Sequence, residues 1–520
     1  MLCIGISPSQ PPPQAGEGPL CSLPTRGEGR GGEAQSLTST CRINEHARRG
    51  SGAGGAVLLA LLTLLPARAL AASVGGPDPA TLSLWWGLPF AAMLLSIALM
   101  PLFAGQVWHH HQGKIAAGWA ALFLIPFAIS FGVQATWDAA LHTLLHEYLP
   151  FVILLTALYT VSGGIAVRGN LHGSPAQNTL LLAIGTVLAS IMGTTGAAML
   201  MVRPVIRAND ARRHNAHVLV FFIFLVANAG GALTPLGDPP LFLGFLKGVD
   251  FFWTLEHLLA PTALLCALLL ALFYALDRWF WRQEAEHPAT DPTPDSPLGI
   301  IGAWNVLWLA VIVIAVLHSG LWKPGMTVPV LGQHLELQNL TRDATLILVA
   351  LLSLATTPWQ ARHENQFAWG PMIEVGKLFL GIFLTIIPVI AILRAGSGGA
   401  LAPLVQLTSD AQGQPIAAAY FWLTGALSSF LDNAPTYLVF FNLAGGDAAQ
   451  LMAHVTTLMA ISAGAVFMGA VTYIGNAPNF MVKAIAEHRG VRMPSFFGYM
   501  GWSFAILLPC FLVLTWVFFR

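Results

Sequence analysis

The sequence predicts an all-α polytopic membrane protein built from two inverted-topology repeats. Each repeat carries a re-entrant hairpin and a broken helix, for about 10–11 transmembrane helices in all. Three observations predict it. The 520 residues are 55% hydrophobic and only 9% charged, where a soluble domain has roughly 25% charged residues. A twelve-residue motif, Gly231-Ala-Leu-Thr-Pro-Leu-Gly-Asp-Pro-Pro-Leu-Phe242, recurs as Gly469-Ala-Val-Thr-Tyr-Ile-Gly-Asn-Ala-Pro-Asn-Phe480. The lysines and arginines also sort to one side once both halves are threaded the same way, as the positive-inside rule requires.

The chain divides in order. Residues 1–54 are rich in Gly, Pro, Ser and Arg and lack hydrophobic periodicity. They read as a disordered leader outside the fold, and as a candidate for sequence translated upstream of the native start. Residues 55–73 follow Arg48-Arg49 with an apolar run and Ala69-Leu70-Ala71, which is a signal-peptide-like pattern or a retained first helix. The first repeat covers 81–282. Its apolar segments are 81–103, 115–133, 149–167, a segment 176–202 broken at Gly193-Thr194-Thr195-Gly196, a kinked span 218–246 and a closing span 256–276. Residues 283–298 form a polar, proline-rich cytoplasmic linker. The second repeat, 299–520, runs 299–318, 343–357 and 370–393. It continues with 416–445, broken at Ser428–Pro435, then 452–486 with the second motif copy, and 494–519.

Charge chooses between two threadings. If both broken segments enter and leave on one side, twelve basic residues, including the Arg203–Arg213 cluster, face the cytoplasm. Five face outward: Lys247, Lys323, Arg342, Arg394 and Arg520. If 176–202 simply crossed, Arg168 and that cluster would lie on opposite sides. The hairpin threading is therefore expected, and it inverts one half relative to the other.

Irregular backbone at membrane depth survives only where protein or a water-filled cavity covers it. Thr234–Pro240, Thr472–Pro478 and the two hairpin tips are thus expected to meet in the interior. They offer Thr194, Thr195, Asn228, Thr234, Asp238, Ser428, Ser429, Asp432, Asn433, Thr436, Thr472, Asn476 and Asn479. Gly237 and Gly475 occupy equivalent turns, where the backbone is expected to need conformations that a Cβ disfavours. Two residues are carboxylates, Asp238 and Asp432. Each either serves ion transport, because a charge at membrane depth costs at least about 2.5–3.5 kcal/mol, or only caps a half-helix. Oxygen ligands suit hard cations. A desolvated carboxylate can hold a proton or a sodium ion in turn, so Na⁺ is expected at Asp238, Asp432 and Asn433, with the two carboxylates sharing a proton.

Gly231–Pro240 and Ser428-Ser-Phe-Leu-Asp-Asn-Ala-Pro-Thr436 resemble motifs of the ion transporter superfamily. Within it, roughly residues 80–520 are most similar to NhaD-type sodium/proton antiporters and citrate-transporter-like proteins. The resemblance implies exchange of Na⁺ or Li⁺ for H⁺ across a bacterial inner membrane. Alternatives are uptake of citrate or a dicarboxylate coupled to Na⁺ or H⁺, and arsenite-type oxyanion export. It places the hairpin tips at Thr194-Thr195 and Asn433–Thr436, and the unwound helices at Thr234–Asp238 and Thr472–Asn476. The first tip lacks the asparagine of dicarboxylate carriers, and two aspartates are added.

The implied partners are the lipid bilayer and a small ion or carboxylate. A homodimer is compatible with the sequence, and nothing points to nucleic acid. The expected cofactors are none beyond transported Na⁺ and H⁺. Cys3, Cys21 and Cys41 lie in the leader and Cys266 and Cys510 in apolar helices, so neither a disulfide framework nor a zinc site is expected. No Walker motif, dinucleotide loop or nucleophile elbow occurs, which leaves ATP-driven transport and enzyme chemistry without support. His109–His111 read as a polar interfacial loop, Glu147 as an external helix cap, and Glu374 with Lys377 as a helical ion pair.

Overall fold

The computed structural model describes residues 81–169, 171–284 and 297–520. The leader, the signal-like segment 55–73 and residues 285–296 of the linker 283–298 lie outside the described residues. Among the described residues, nine helices are long and apolar enough to cross a membrane, or ten if one bent pair counts as a single span. The protein is mostly helical, as the composition predicts.

The first half opens with α1 (Leu88–Phe103) and α2 (Gly105–Phe131), then α3 (Val133–Thr143), a π-helical turn (Leu144–Tyr148) and α4 (Leu149–Ser162). Three expectations change here. His109–His111 belong to α2, not to a loop, with His110 Nδ1 2.9 Å from Gln106 O. Residues 133–148 are helical and continue into α4, giving one stretch Val133–Ser162. Its polar residues repeat every four positions, which hides it from a search for apolar runs. Gln134 donates to Asp138 at 3.0 Å, and His142 stacks on His146 at 4.5 Å. Glu147 is buried within the π turn and pairs with Lys247 rather than capping a helix at the surface.

The next two helices form a hairpin. Helix α5 (Pro175–Met192) begins with a capping box, Ser174 with Gln177, and a proline in its first turn. It ends at Gly193, whose φ of +82° suits glycine alone. Helix α6 (Thr194–Ala208) then returns along it. The open ends are tied together: Asn178 and Asn209 exchange hydrogen bonds of 2.8 and 2.9 Å, and Gly173 N donates to Ala208 O at 2.5 Å. The segment therefore starts and finishes at one end, as the arginine bias requires. Helix α7 (Ala216–Leu225) leads into the first motif, α8 (Pro239–Leu246) leaves it, and α9 (Trp253–Glu284) closes the half.

The second half repeats the order with α10 (Trp304–Leu321), α11 (Leu337–Thr356), and α12 (Gly370–Thr385) bent by 42° into α13 (Ile387–Arg394). The second hairpin is α14 (Ala417–Phe430) and α15 (Asn433–Leu443). Tyr420 near its start and Phe440 near its end lie 6.4 Å apart, ring to ring. Helix α16 (Val455–Met468), the second motif, α17 (Ala477–His488) and α18 (Phe496–Phe518) complete it. Among the described residues, no ion pair joins Glu374 to Lys377. The sheet is minor: a short antiparallel pair Ala166–Arg168 with Gly299–Ile301, and a hairpin Thr327–Val330 with Gln333–Glu336.

Burial separates the inner helices from the outer ones. The apolar stretch Ala216–Leu233 is 89% buried, whereas Leu337–Thr356 is 22% buried. Helices α7 and α16, each running into a motif, form the middle of the molecule.

Candidate functional site

Both motifs break their helices in the same way. Thr234 and Thr472 are extended, with φ/ψ of −142°/158° and −130°/166°. The Thr234 hydroxyl donates to Ser190 O of the first hairpin, and the Thr472 hydroxyl donates to Ser429 O of the second at 2.5 Å. Each threonine also accepts an amide two residues on, Leu236 N and Ile474 N, both at 3.2 Å. These bonds replace the backbone bonds that the break removes, so the irregular turns are satisfied inside the protein.

Gly237 and Gly475 are required for a reason other than the expected one. Neither has a positive φ. Instead each backbone lies against another backbone. A Cβ on Gly237 would sit inside van der Waals contact of Gly231 O. One on Gly475 would lie 2.6 Å from Gly469 O and 2.8 Å from Ser428 O. Close approach of two chain segments, not turn conformation, demands the missing side chain.

Four half-helices start at the centre. Thr194 is the first residue of α6, Asn433 the first of α15, Asp238 the N-cap of α8 and Asn476 the N-cap of α17. The Asp238 carboxylate does not cap its own helix. It accepts Thr194 Oγ1 at 2.9 Å and Asn476 Nδ2 at 3.4 Å on Oδ1, and Asn433 Nδ2 on Oδ2. Asp238 is 1% exposed, and all three donors are buried and uncharged. The Asn433 Oδ1 beside it is buried without a partner.

An amide chain extends this centre into the second half. Asn476 also donates to Asn228 Oδ1 at 3.2 Å. Asn228 donates to Asn479 Oδ1 at 2.7 Å, and Asn479 donates to Gly469 O and Thr472 O at 2.8 and 2.9 Å. Sequence positions some 240 residues apart thus meet at one carboxylate.

The remaining expected residues lie around this centre with other partners. Asp432 Oδ1 accepts Ala434 N at 3.1 Å and caps α15, so its side chain does what a capping aspartate does. It is its neighbour Asn433 that bonds Asp238. Thr436 Oγ1 donates within its own helix to Asp432 O at 3.0 Å. Ser429 Oγ donates to Gly425 O and Met468 O, and Ser428 Oγ to Ala465 O at 2.6 Å, fastening the second hairpin to α16. Thr195 is half-buried next to Thr194.

One polar centre lies outside the repeated motifs and the hairpin tips. Asp277, fully buried in α9, accepts Arg212 at 2.5 Å, His217 at 2.9 Å and Asn178 at 2.9 Å, tying α9 to the open end of the first hairpin. The rule that singled out Asp238, a charge inside an apolar helix, also applies to Asp277.

Membrane-length helices arranged around two hairpins and a buried carboxylate define a polytopic membrane transporter. A family profile described as "Putative citrate transport" matches residues 79–519, nearly the whole described chain, and the protein belongs to that family of citrate-transporter-like members of the ion transporter superfamily. Similar proteins include an uncharacterized transporter of Mycobacterium tuberculosis, 24% identical over 61% of this chain and 71% of its own. A 46 kDa membrane protein of Mycobacterium leprae is 23% identical over 61% and 71%. An uncharacterized transporter of Synechocystis is 25% identical over 75% and 86%. The protein is thus a multi-pass bacterial membrane protein.

Proposed function

We propose that the protein exchanges Na⁺ or Li⁺ for H⁺, with Asp238 holding each ion in turn. One observation carries this reading: Asp238 is buried against three uncharged donors and, among the described residues, has no basic partner. An isolated ionised carboxylate at such depth is far too costly, so it must carry a proton or a metal cation. Asn433 Oδ1 supplies an unused oxygen beside it, and oxygen ligands of this type suit Na⁺. Binding then reads Asp238–COOH + Na⁺ → Asp238–COO⁻·Na⁺ + H⁺. On this reading the two hairpins open to opposite faces and expose this centre alternately.

The convergence of four helix N-termini favours negative charge, and together with the family description it supports a second reading, uptake of citrate or a related carboxylate. The carboxyl group of Asp238 already occupies those helix ends, with Thr194, Asn433 and Asn476 donating to it, which leaves fewer free donors for a tricarboxylate and favours exchange as the first reading. Dye-monitored proton flux in everted vesicles separates the two. Exchange predicts proton release on adding Na⁺ or Li⁺ and none with citrate alone. Flux driven by citrate alone overturns it.

A further inference from the structure

Helix α8 carries a functional residue at each end. Its N-cap is Asp238 and its C-cap is Lys247. At eight residues it is only about 12 Å long and moves as a rod, so whatever holds Lys247 also places Asp238. Lys247 Nζ is held by the Glu147 carboxylate, in an ion pair with both side chains largely buried.

Glu147 reaches α8 because of an irregularity in its own helix. It lies in the π turn Leu144–Tyr148 between α3 and α4. A π turn adds one residue to a helix and rotates everything beyond it by about 100°. The next residue is thereby anchored elsewhere. Tyr148 Oη donates to Gly376 O of α12 at 3.0 Å, and its ring lies 6.2 Å from that of Phe383 in the same helix. One turn of chain thus grips α12 with Tyr148 and α8 with Glu147.

The second half has no copy of this pair. The positions 238 residues beyond Glu147 and Lys247 are Thr385 and Ile485, and Thr385 Oγ1 donates within its own helix to Gly381 O at 2.7 Å. The motif threonines and glycines that hold the broken helices are repeated, whereas this pair, like Asp238, is not. Its role therefore goes beyond supporting the repeat.

The surroundings also let the pair part. Leaving one buried charge unpaired is strongly unfavourable, so each partner needs an alternative. Lys247 lines a cavity of about 600 Å³ whose wall also carries Asp250, Glu256 and Glu336. An ammonium that leaves Glu147 finds water and acids there. Beside Glu147, His142 stacks on His146 at 4.5 Å, and both lie within electrostatic reach of Glu147 and Lys247. Their ring N–H groups are the alternative donors to the carboxylate.

We propose that the Glu147–Lys247 pair is a latch on α8: closed, it positions Asp238 as seen here, and it must part for the ion centre to change sides. The latch rests on the reading of Asp238 as the ion carrier. Its test is a reversible bridge. In a cysteine-free background, Glu147→Cys/Lys247→Cys is joined by a bifunctional methanethiosulfonate reagent. Unbridged, the variant should exchange Na⁺ for H⁺ in vesicles. Bridged, exchange should fall to the level of empty vesicles and return on reduction, while either single-cysteine variant treated alike keeps exchanging. Purified bridged protein should still release protons on adding Na⁺, which a merely damaged ion site would not do. Full exchange across the bridge, or loss of proton release together with exchange, overturns the latch. Glu147→Lys and Lys247→Glu should each slow exchange about tenfold or more by placing like charges together, and the double reversal should return it to within about twofold of wild type. If the double-cysteine variant does not insert, this rescue decides, and its failure overturns the latch. Absence of Na⁺-driven flux in wild type sinks the exchange reading instead. The bridge is then scored on citrate-driven flux, where the same reversible loss supports the latch and undiminished flux overturns it.

Discussion

The two halves meet as near-copies in backbone and as opposites in chemistry. Thr234 and Thr472 turn the chain the same way and bond the carbonyls of Ser190 and Ser429. Gly237 and Gly475 leave room for the same crossing of backbones. At the positions that face the centre the match ends. Asp238 stands opposite Asn476, Gly193 at one hairpin tip opposite Asp432 at the other, and Asn228 opposite Val466. Repetition preserves what holds a broken helix together, whereas the carboxylate that gathers donors from both halves is Asp238 of the first, Asp432 of the second being turned to its own helix N-terminus. The second half supplies Asn433 and Asn476, neutral groups that complete the shell around the first half's carboxylate.

This asymmetry is open to direct challenge. Asp238→Asn should abolish Na⁺-driven proton release in vesicles, and moving the charge with Asp238→Asn/Asn476→Asp should not restore it. The Asn476 amide faces Ala227 O and Asn228 Oδ1, both acceptors, so a carboxylate there would be repelled. Rescue by the swap would show the halves to be chemically equivalent. The shared scaffold should fail equally on both sides. Gly237→Val and Gly475→Val should each cost about 3 kcal/mol by overpacking, read as a lower Tm in detergent, while Gly105→Val, with open space around it, should cost far less. A wild-type Tm in either motif variant would mean the crossings are loose.

Smaller effects sharpen the picture. Thr194→Val removes one donor to the carboxylate and should weaken apparent Na⁺ affinity roughly tenfold, the value of a hydrogen bond to a charged group. Asp432 should matter least. Asp432→Ala should cost about 1 kcal/mol as a lost cap, and Asp432→Asn, which still caps, should retain exchange. Loss of exchange in Asp432→Asn would restore the paired-carboxylate mechanism.

Much of this was legible before any coordinates. Two glycines, three prolines and an aspartate in an apolar run mark a broken helix, and the repeat 238 residues on marks its partner. The arginine bias implies hairpins, and the exchanged bonds of Asn178 and Asn209 close the first one. Local pattern could not assign partners across the chain. Asp432 and Asn433 are adjacent, yet helix geometry points one at its own backbone and the other at Asp238. Nor could it separate two reasons for a glycine, because Gly231 O approaches Gly237 only in the folded turn. Helix α3 was hidden because its polar residues share one face at a spacing of four, which leaves no continuous apolar run.

The central claim is that one carboxylate holds either ion, and proton release from purified protein in weakly buffered solution tests it most directly. Adding Na⁺ should release up to about one proton per chain from the wild type. The Na⁺ concentration needed should rise as pH falls through the titration of Asp238, because the proton then competes more strongly. Asp238→Asn should release none. Undiminished release from Asp238→Asn, or a Na⁺ requirement independent of pH, would contradict the account.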